Sequence, residues 1–268
     1  MKITSKDTDT KLTPIITLAA IWLIYTVCYI ALKQNSTTNL YPGLVAFIGE
    51  VGLDCLAAIL TLQLWTKSSL TLLKKVYLFF CISFFLAAIT DCNYNLTANI
   101  LGITHISNIV DSIFDIPFLG ILIFQILAWA IIFLKSKPSL SKITILTVYL
   151  PITLIAIIIF TAFFYDLTWG IRAFSLIGLY IIIETVLQWV SFVFVSLYLA
   201  TTNNKQFHLV AIGYLIITTS DLIVHLNVLA KTLKPDSILE TTWVLGLLFI
   251  ALGFYKMLKF ESNRIVIG

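Results

Sequence analysis

The chain has 268 residues, of which 60% are hydrophobic and only 11% charged, and its mean hydropathy is +1.02. A water-soluble domain carries roughly 25% charged residues, so the charges here are too few to cover a solvated surface. A soluble enzyme, a nucleic-acid-binding domain and a secreted disulfide scaffold are thereby excluded, and the net charge of +4 bears on membrane topology instead.

A helix needs about 20 mostly apolar residues to cross the hydrocarbon core. Eight stretches satisfy this in chain order, at 13–33, 43–65, 76–98, 111–134, 143–164, 173–200, 207–230 and 238–258. The first lacks a small-residue cleavage site and reads as a retained helix. With the N-terminus inside, thirteen of the 17 Lys and Arg residues fall in cytoplasmic segments. Only Lys33, Arg172, Lys231 and Lys234 fall outside. That bias, with an even span number, places both termini in the cytoplasm of a bacterial inner (plasma) membrane. The expected fold is an all-α integral membrane bundle of eight transmembrane helices forming a single polytopic domain over 1–268. The last residues, Glu261 to Gly268, are too few for a separate output domain. Cys28, Cys55, Cys81 and Cys92 lie in spans without CxxC spacing and read as small packing residues. Pro117 and Pro151 fall inside spans, where kinks are tolerated. Trp65, Trp129, Trp169, Trp189 and Trp243 read mainly as interface anchors or packing residues.

The polar residues inside the spans carry a duplication. Glu50 and Asp54 in the second span are matched by Glu184 and Gln188 in the sixth. Asp91 and Asn95 in the third are matched by Asp221 and His225 in the seventh. At the heads of the fourth and eighth, Asp111 and Asp115 in DSIFD are matched by Asp236 and Glu240 in DSILE. Nine of the 13 acidic residues belong to this pattern. It implies a 4+4 internal pseudo-symmetry with repeat halves at 13–134 and 143–258. Two halves that both start inside form a parallel repeat about an axis normal to the membrane.

Residues four apart share a helix face, so each pair projects toward one neighbour. Under the inferred topology Glu50, Asp91, Glu184 and Asp221 lie in the outer half of their spans, with Asp111, Asp115, Asp236 and Glu240 at the outer mouth. Charge facing lipid is expensive, and its usual resolution is a bundle interior or a water-filled cavity. An outward-facing acidic cavity is therefore expected, with Glu50, Asp54, Asp91, Asn95, Glu184, Gln188, Asp221 and His225 as ligand-binding candidates. The plainer alternative is that these groups join helices by hydrogen bonds, and that Asp111 and Asp236 cap helix N-termini. No HExxH, paired His or Cys ligand set marks a metal site, and no cofactor is expected. Close carboxyls in a partly dry site suit acid–base hydrolysis, proton coupling or a cavity that responds to a cation.

The run from Gly213 to Gly253, GYLIITTSDLIVHLNVLAKTLKPDSILETTWVLGLLFIALG, resembles two bacterial groups. One is the eight-helix N-terminal sensor region found ahead of diguanylate cyclase or histidine kinase output domains. Asp221, Glu240, Trp243 and Gly246 carry that resemblance, echoed by Asp91 and Asp115 in the first half. It implies a membrane sensor for a small polar or amphiphilic ligand, read out through a homodimer or a cytoplasmic signalling partner. The other is the lysoplasmalogenase family, resembled by SDLIVHLN at Ser220–Asn227 and by Asp91. It implies a membrane ether hydrolase with Asp91 and Asp221 as the catalytic acid–base pair. Thr90 stands where that family has a glycine, and Ala128 where its histidine is expected. The leading expectation is the sensor, followed by the hydrolase and then a proton- or cation-coupled transporter.

Overall fold

The computed structural model describes residues 6–35, 40–96, 108–136, 176–202, 205–229 and 239–267, with positions 149 and 152. Among the described residues the regular elements are helices: α1 (Lys6–Asn35), α2 (Leu40–Lys67), α3 (Thr71–Tyr94), α4 (Asn108–Ser136), α5 (Leu176–Thr201), α6 (His208–Leu229) and α7 (Leu239–Ile267). A 3-10 turn at Lys205–Phe207 leads into α6. Five stretches of the described residues are long and apolar enough to cross a bilayer: Ile16–Asn35, Leu40–Lys67, Thr71–Tyr94, Pro117–Lys135 and Thr241–Glu261. The chain is thus a multi-pass helical bundle. The stretch at 143–164, expected as the fifth span, lies outside the described residues apart from positions 149 and 152, and Pro151 and Arg172 lie outside them too.

Helices outrun the apolar stretches. α1 begins at Lys6, α3 at Thr71 with Lys74 and Lys75 in its first turns, and α7 continues to Ile267. Hydropathy marks where a helix meets lipid, whereas backbone hydrogen bonding carries it on into the interface, where lysines extend their ammonium groups to water. Residues 261–267 continue α7.

Packing contacts close six helices into a ring in chain order: α2 on α3, α3 on α4, α4 on α5, α5 on α6, α6 on α7, and α7 back on α2. α1 sits outside, against α2 and α7. Its Trp22 donates from Nε1 to the Thr241 carbonyl at 2.7 Å, and its Tyr25 ring lies over Gly49 of α2. Much of its surface is lipid-facing, with Ile16, Leu23, Ile24 and Val27 exposed. Two of the cysteines read as small packing residues, Cys28 and Cys55, lie on the exposed surface of the bundle. A thiol behaves as a small hydrophobe, so a lipid-facing position suits it equally well.

Aromatic side chains fill the ring's interior at mid-height. Phe80 of α3 stacks on Tyr214 of α6 at 5.6 Å between ring centroids and meets Phe254 of α7 edge-on at 5.4 Å. Trp129 of α4 is fully buried and contacts Phe80, Tyr198 and Tyr214. Each such pair contributes about 0.5–1.5 kcal/mol beyond area burial. Helices from both sides of the ring are thereby joined through one cluster.

α6 and α7 approach most closely at two glycines. A Cβ on Gly213 would lie 2.5 Å from the Gly246 carbonyl oxygen, and one on Gly246 would lie 2.8 Å from the Gly213 oxygen. Small residues permit this backbone contact between membrane helices. Gly213→Leu or Gly246→Val is expected to lower stability by about 1–3 kcal/mol, the usual cost of overpacking. Gly52→Ala, whose Cβ meets nothing within 4 Å, should leave stability unchanged or slightly raised. Thermal unfolding in detergent checks this, and equal melting temperatures for all three variants would contradict the contact.

Candidate functional site: an acidic cavity inside the helix ring

Above the aromatic cluster the ring encloses a cavity of about 370 Å³. Every ring helix contributes to its wall: Asp54 from α2, Asp91 from α3, Gln125 from α4, Gln188 from α5, Asp221 from α6 and Trp243 from α7. Phe84 and Tyr214, members of the aromatic cluster, form part of the lining. The lining residues of α2, α4, α5 and α7 lie in the first half or at the middle of each helix. Those of α3 and α6 lie in the middle or second half, except Tyr214 in the first half of α6. The cavity therefore belongs to one end of the bundle. Lys67, Lys74, Lys75, Lys135, Lys205, Lys256 and Lys259 all sit toward the other end.

The direction of α4 and α5 follows from the same placement. Their first halves share the cavity, and Trp129 in the second half of α4 meets Tyr198, near the end of α5. The two helices run parallel.

Five carboxyl groups line the cavity: Glu50, Asp54, Asp91, Glu184 and Asp221. Lys, Arg and His are absent from its described lining. The carboxyls form two groups on different walls. In the first, Glu50 and Asp54 share one face of α2, as i and i+4 positions must, and Asp91 comes from α3. The Asp54 and Asp91 side chains lie within hydrogen-bonding reach of each other. Asn95, fully buried at the end of α3, donates from Nδ2 to Glu50 Oε2 at 2.8 Å and to the Asp91 carbonyl at 3.0 Å. In the second group, Gln188 Nε2 reaches Glu184 Oε1 at 3.4 Å within α5. Asp221 of α6 accepts from Trp243 Nε1 of α7 at 2.8 Å. The residues just before these two, Ser220 and Thr242, share a 2.6 Å hydroxyl contact that ties α6 to α7.

Among the described lining residues, two buried acceptors and the Tyr214 hydroxyl are left over. Asp54 Oδ2 and Gln188 Oε1, on residues each 1% exposed, have no hydrogen-bond partner. Burying such an atom unpaired costs about 1–3 kcal/mol, and both residues line the cavity.

The expected residues thus divide clearly. Glu50, Asp54, Asp91, Glu184, Gln188 and Asp221 meet at one cavity, and Asn95 stands behind Glu50 as its donor. The His225 side chain lies outside the described residues, although its backbone continues α6. So do the side chains of Asp111, Asp115 and Glu240, and the whole of Asp236. The sequence reading missed Gln125, Tyr214 and Thr218. Gln125 had a signal, since an amide inside the apolar run of α4 needs a polar surrounding. Tyrosine and threonine are ordinary residues in a membrane span, and nothing in sequence separates these two from packing residues. Trp243, read mainly as an anchor or packing residue, is the hydrogen-bond donor to Asp221.

Searches of protein-family models, curated proteins and solved structures return no match to this chain.

Asn95→Leu removes a donor from Glu50, which is only 5% exposed, and Trp243→Phe does the same to Asp221. Each is expected to cost about 1–3 kcal/mol, the range for a buried polar group that loses its partner. Trp65→Phe, on an exposed ring, should be neutral. The three melting curves, run side by side, check the assignment.

Proposed function

We propose that the chain is a membrane-embedded sensor module that binds a small polar or amphiphilic ligand in an outward-facing acidic cavity. The observation that carries this reading is the convergence of carboxyls from α2, α3, α5 and α6 on one cavity, without a basic side chain in its described lining. Hydrogen bonding alone gives a poor account of that convergence. A charged residue at the bilayer centre costs about 2.5–3.5 kcal/mol on insertion scales, and an interhelical hydrogen bond there returns on average about 0.6. A site that receives a polar or cationic group gives the carboxyls a purpose as well as a partner.

In the full architecture we infer, eight spans form two related halves of four, with both termini cytoplasmic. Three observations support it. The ring order places α2 three steps from α5, α3 from α6 and α4 from α7, which is where a twofold would put matched helices. Because α4 and α5 run parallel, the chain between Ser136 and Leu176 has to return from one end of the bundle to the other, as a span at 143–164 does. The lysine-rich end lies away from the cavity, and basic segments favour the cytoplasm. Ligand binding then shifts the two halves and is read at the cytoplasmic end of α7 by a homodimer or a signalling partner. A transporter needs access from both sides, and the aromatic cluster under the cavity speaks against it.

The resemblance to lysoplasmalogenases supplies a second reading, favoured by one observation: Asp91 and Asp221 line the same cavity from different helices. Against it, each carboxyl already has a neighbour, Asp54 or Trp243, and Ala128 is fully buried in the core.

Two measurements test the proposal. In a cysteine-free background, Leu40→Cys at the cavity end is expected to react with an impermeant maleimide added outside intact cells. Ser69→Cys at the basic end should react only after lysis, and the reverse pattern would invert the topology. Purified wild-type protein, Asp91→Asn and Asp221→Asn are all expected to leave lysoplasmalogen uncleaved. Turnover by the wild type that both substitutions abolish would replace the sensor by the hydrolase.

A further inference from the structure

The cavity offers its acceptors as two separated groups. One is built on α2 and α3, from Glu50, Asp54 and Asp91; the other on α5 and α6, from Glu184, Gln188 and Asp221. In the ring, α3 packs on α4 and α4 on α5, while α6 packs on α7 and α7 on α2. One helix therefore intervenes between the two groups on either side. Each group holds one of the leftover acceptors, Asp54 Oδ2 in the first and Gln188 Oε1 in the second. Between them the wall is mostly apolar, with Phe118, Ile121 and Leu122 of α4 and Leu247 of α7, and it carries the Gln125 amide and the Trp243 ring as well.

A ligand that completes this arrangement needs a hydrogen-bond donor at each end, positive charge to match the carboxyls, and an apolar middle. A single point cation satisfies one group and leaves the other unpaired. Among the described residues, moreover, no group of three His, Cys, Asp or Glu is placed to hold a metal ion. At about 370 Å³ the volume lies at the small end of organic-ligand pockets.

We infer that the ligand is a linear aliphatic diamine in its diammonium form, bound across the ring with one ammonium at Asp54 and the other at Gln188. This rests on the sensor reading for its role but not for its test. Gln188 is the neutral member of the second group, so that end holds its ammonium through the amide oxygen and the flanking Glu184 and Asp221. The chemistry discriminates in two ways: a monoamine leaves one acceptor group unfilled, and a carboxylate ligand is repelled.

The experiment is calorimetric titration of the full chain in nanodiscs of uncharged phosphatidylcholine. The probes are 1,4-diaminobutane, 1-aminobutane, calcium chloride and lysophosphatidylcholine. The diamine is expected to bind at least ten-fold more tightly than the monoamine, and Asp54→Asn to remove most of that advantage. Gln188→Glu, which adds a carboxylate to the second group, is expected to tighten diamine binding about ten-fold. A gain of affinity cannot come from misfolding, so this variant guards the test. Equal affinity for the two amines, preference for calcium, or a diamine affinity unmoved by Gln188→Glu overturns the assignment. Binding of lysophosphatidylcholine with no binding of either amine also overturns it, yet leaves the sensor reading standing. Turnover of lysoplasmalogen, by contrast, removes the sensor reading, and the titration still decides the diamine.

Discussion

Carboxyl groups in the hydrocarbon layer have to be walled off from lipid, and the arrangement of this bundle follows from that need. Glu50, Asp54, Asp91, Glu184 and Asp221 sit on four helices, and no pair of helices can enclose them all. Six helices closed on themselves can. Each presents its polar face inward and its apolar face to lipid, which leaves Ile48, Leu56, Ile59 and Phe85 exposed on the outside. An exposed leucine here faces lipid tails as apolar as itself, so outward hydrophobic surface carries no penalty.

The closed ring then needs something to hold its two sides together below the polar layer. Aromatic rings do this, since Phe80, Trp129, Tyr198, Tyr214 and Phe254 come from five different helices and touch one another directly. Tyr214 belongs both to this cluster and to the cavity lining. A ligand pressing on the cavity floor therefore presses on the packing of α3, α4 and α7 at once. Close-packed clusters tend to have discrete arrangements rather than a continuum, so a displacement of Tyr214 is passed on to the rings nearer the lysine-rich end.

Five of the spans were legible because an unbroken apolar run of about 20 residues suits a bilayer and little else. The inward-facing acids were legible too, since i,i+4 pairs in an apolar run declare a shared face before any partner is known. Their convergence on one cavity followed from the cost of lipid-facing charge. What sequence left hidden were partners separated far along the chain. Nothing at Trp22 announces a bond to the Thr241 carbonyl, and nothing at Tyr214 marks it as cavity lining. Helix ends were misplaced for a related reason, because Lys74 and Lys75 look like a boundary when hydropathy is the guide and are ordinary first-turn residues when hydrogen bonding is. Pairwise affinities across a bundle depend on shape, and one-dimensional periodicity does not encode shape.

The outer helix carries a consequence for how the chain is made. Trp22 and the carbonyl it binds are 219 residues apart, and the ring itself shuts only when α7 reaches α2. Chains emerge at about 5–20 residues per second, so α2 waits on the order of 10–40 s for its last neighbour. Throughout that interval Glu50 and Asp54 have an open flank. Assembly of the ring is thus complete only once its last helix has been made. α1 packs on both α2 and α7, and so stands beside that flank before α7 is made.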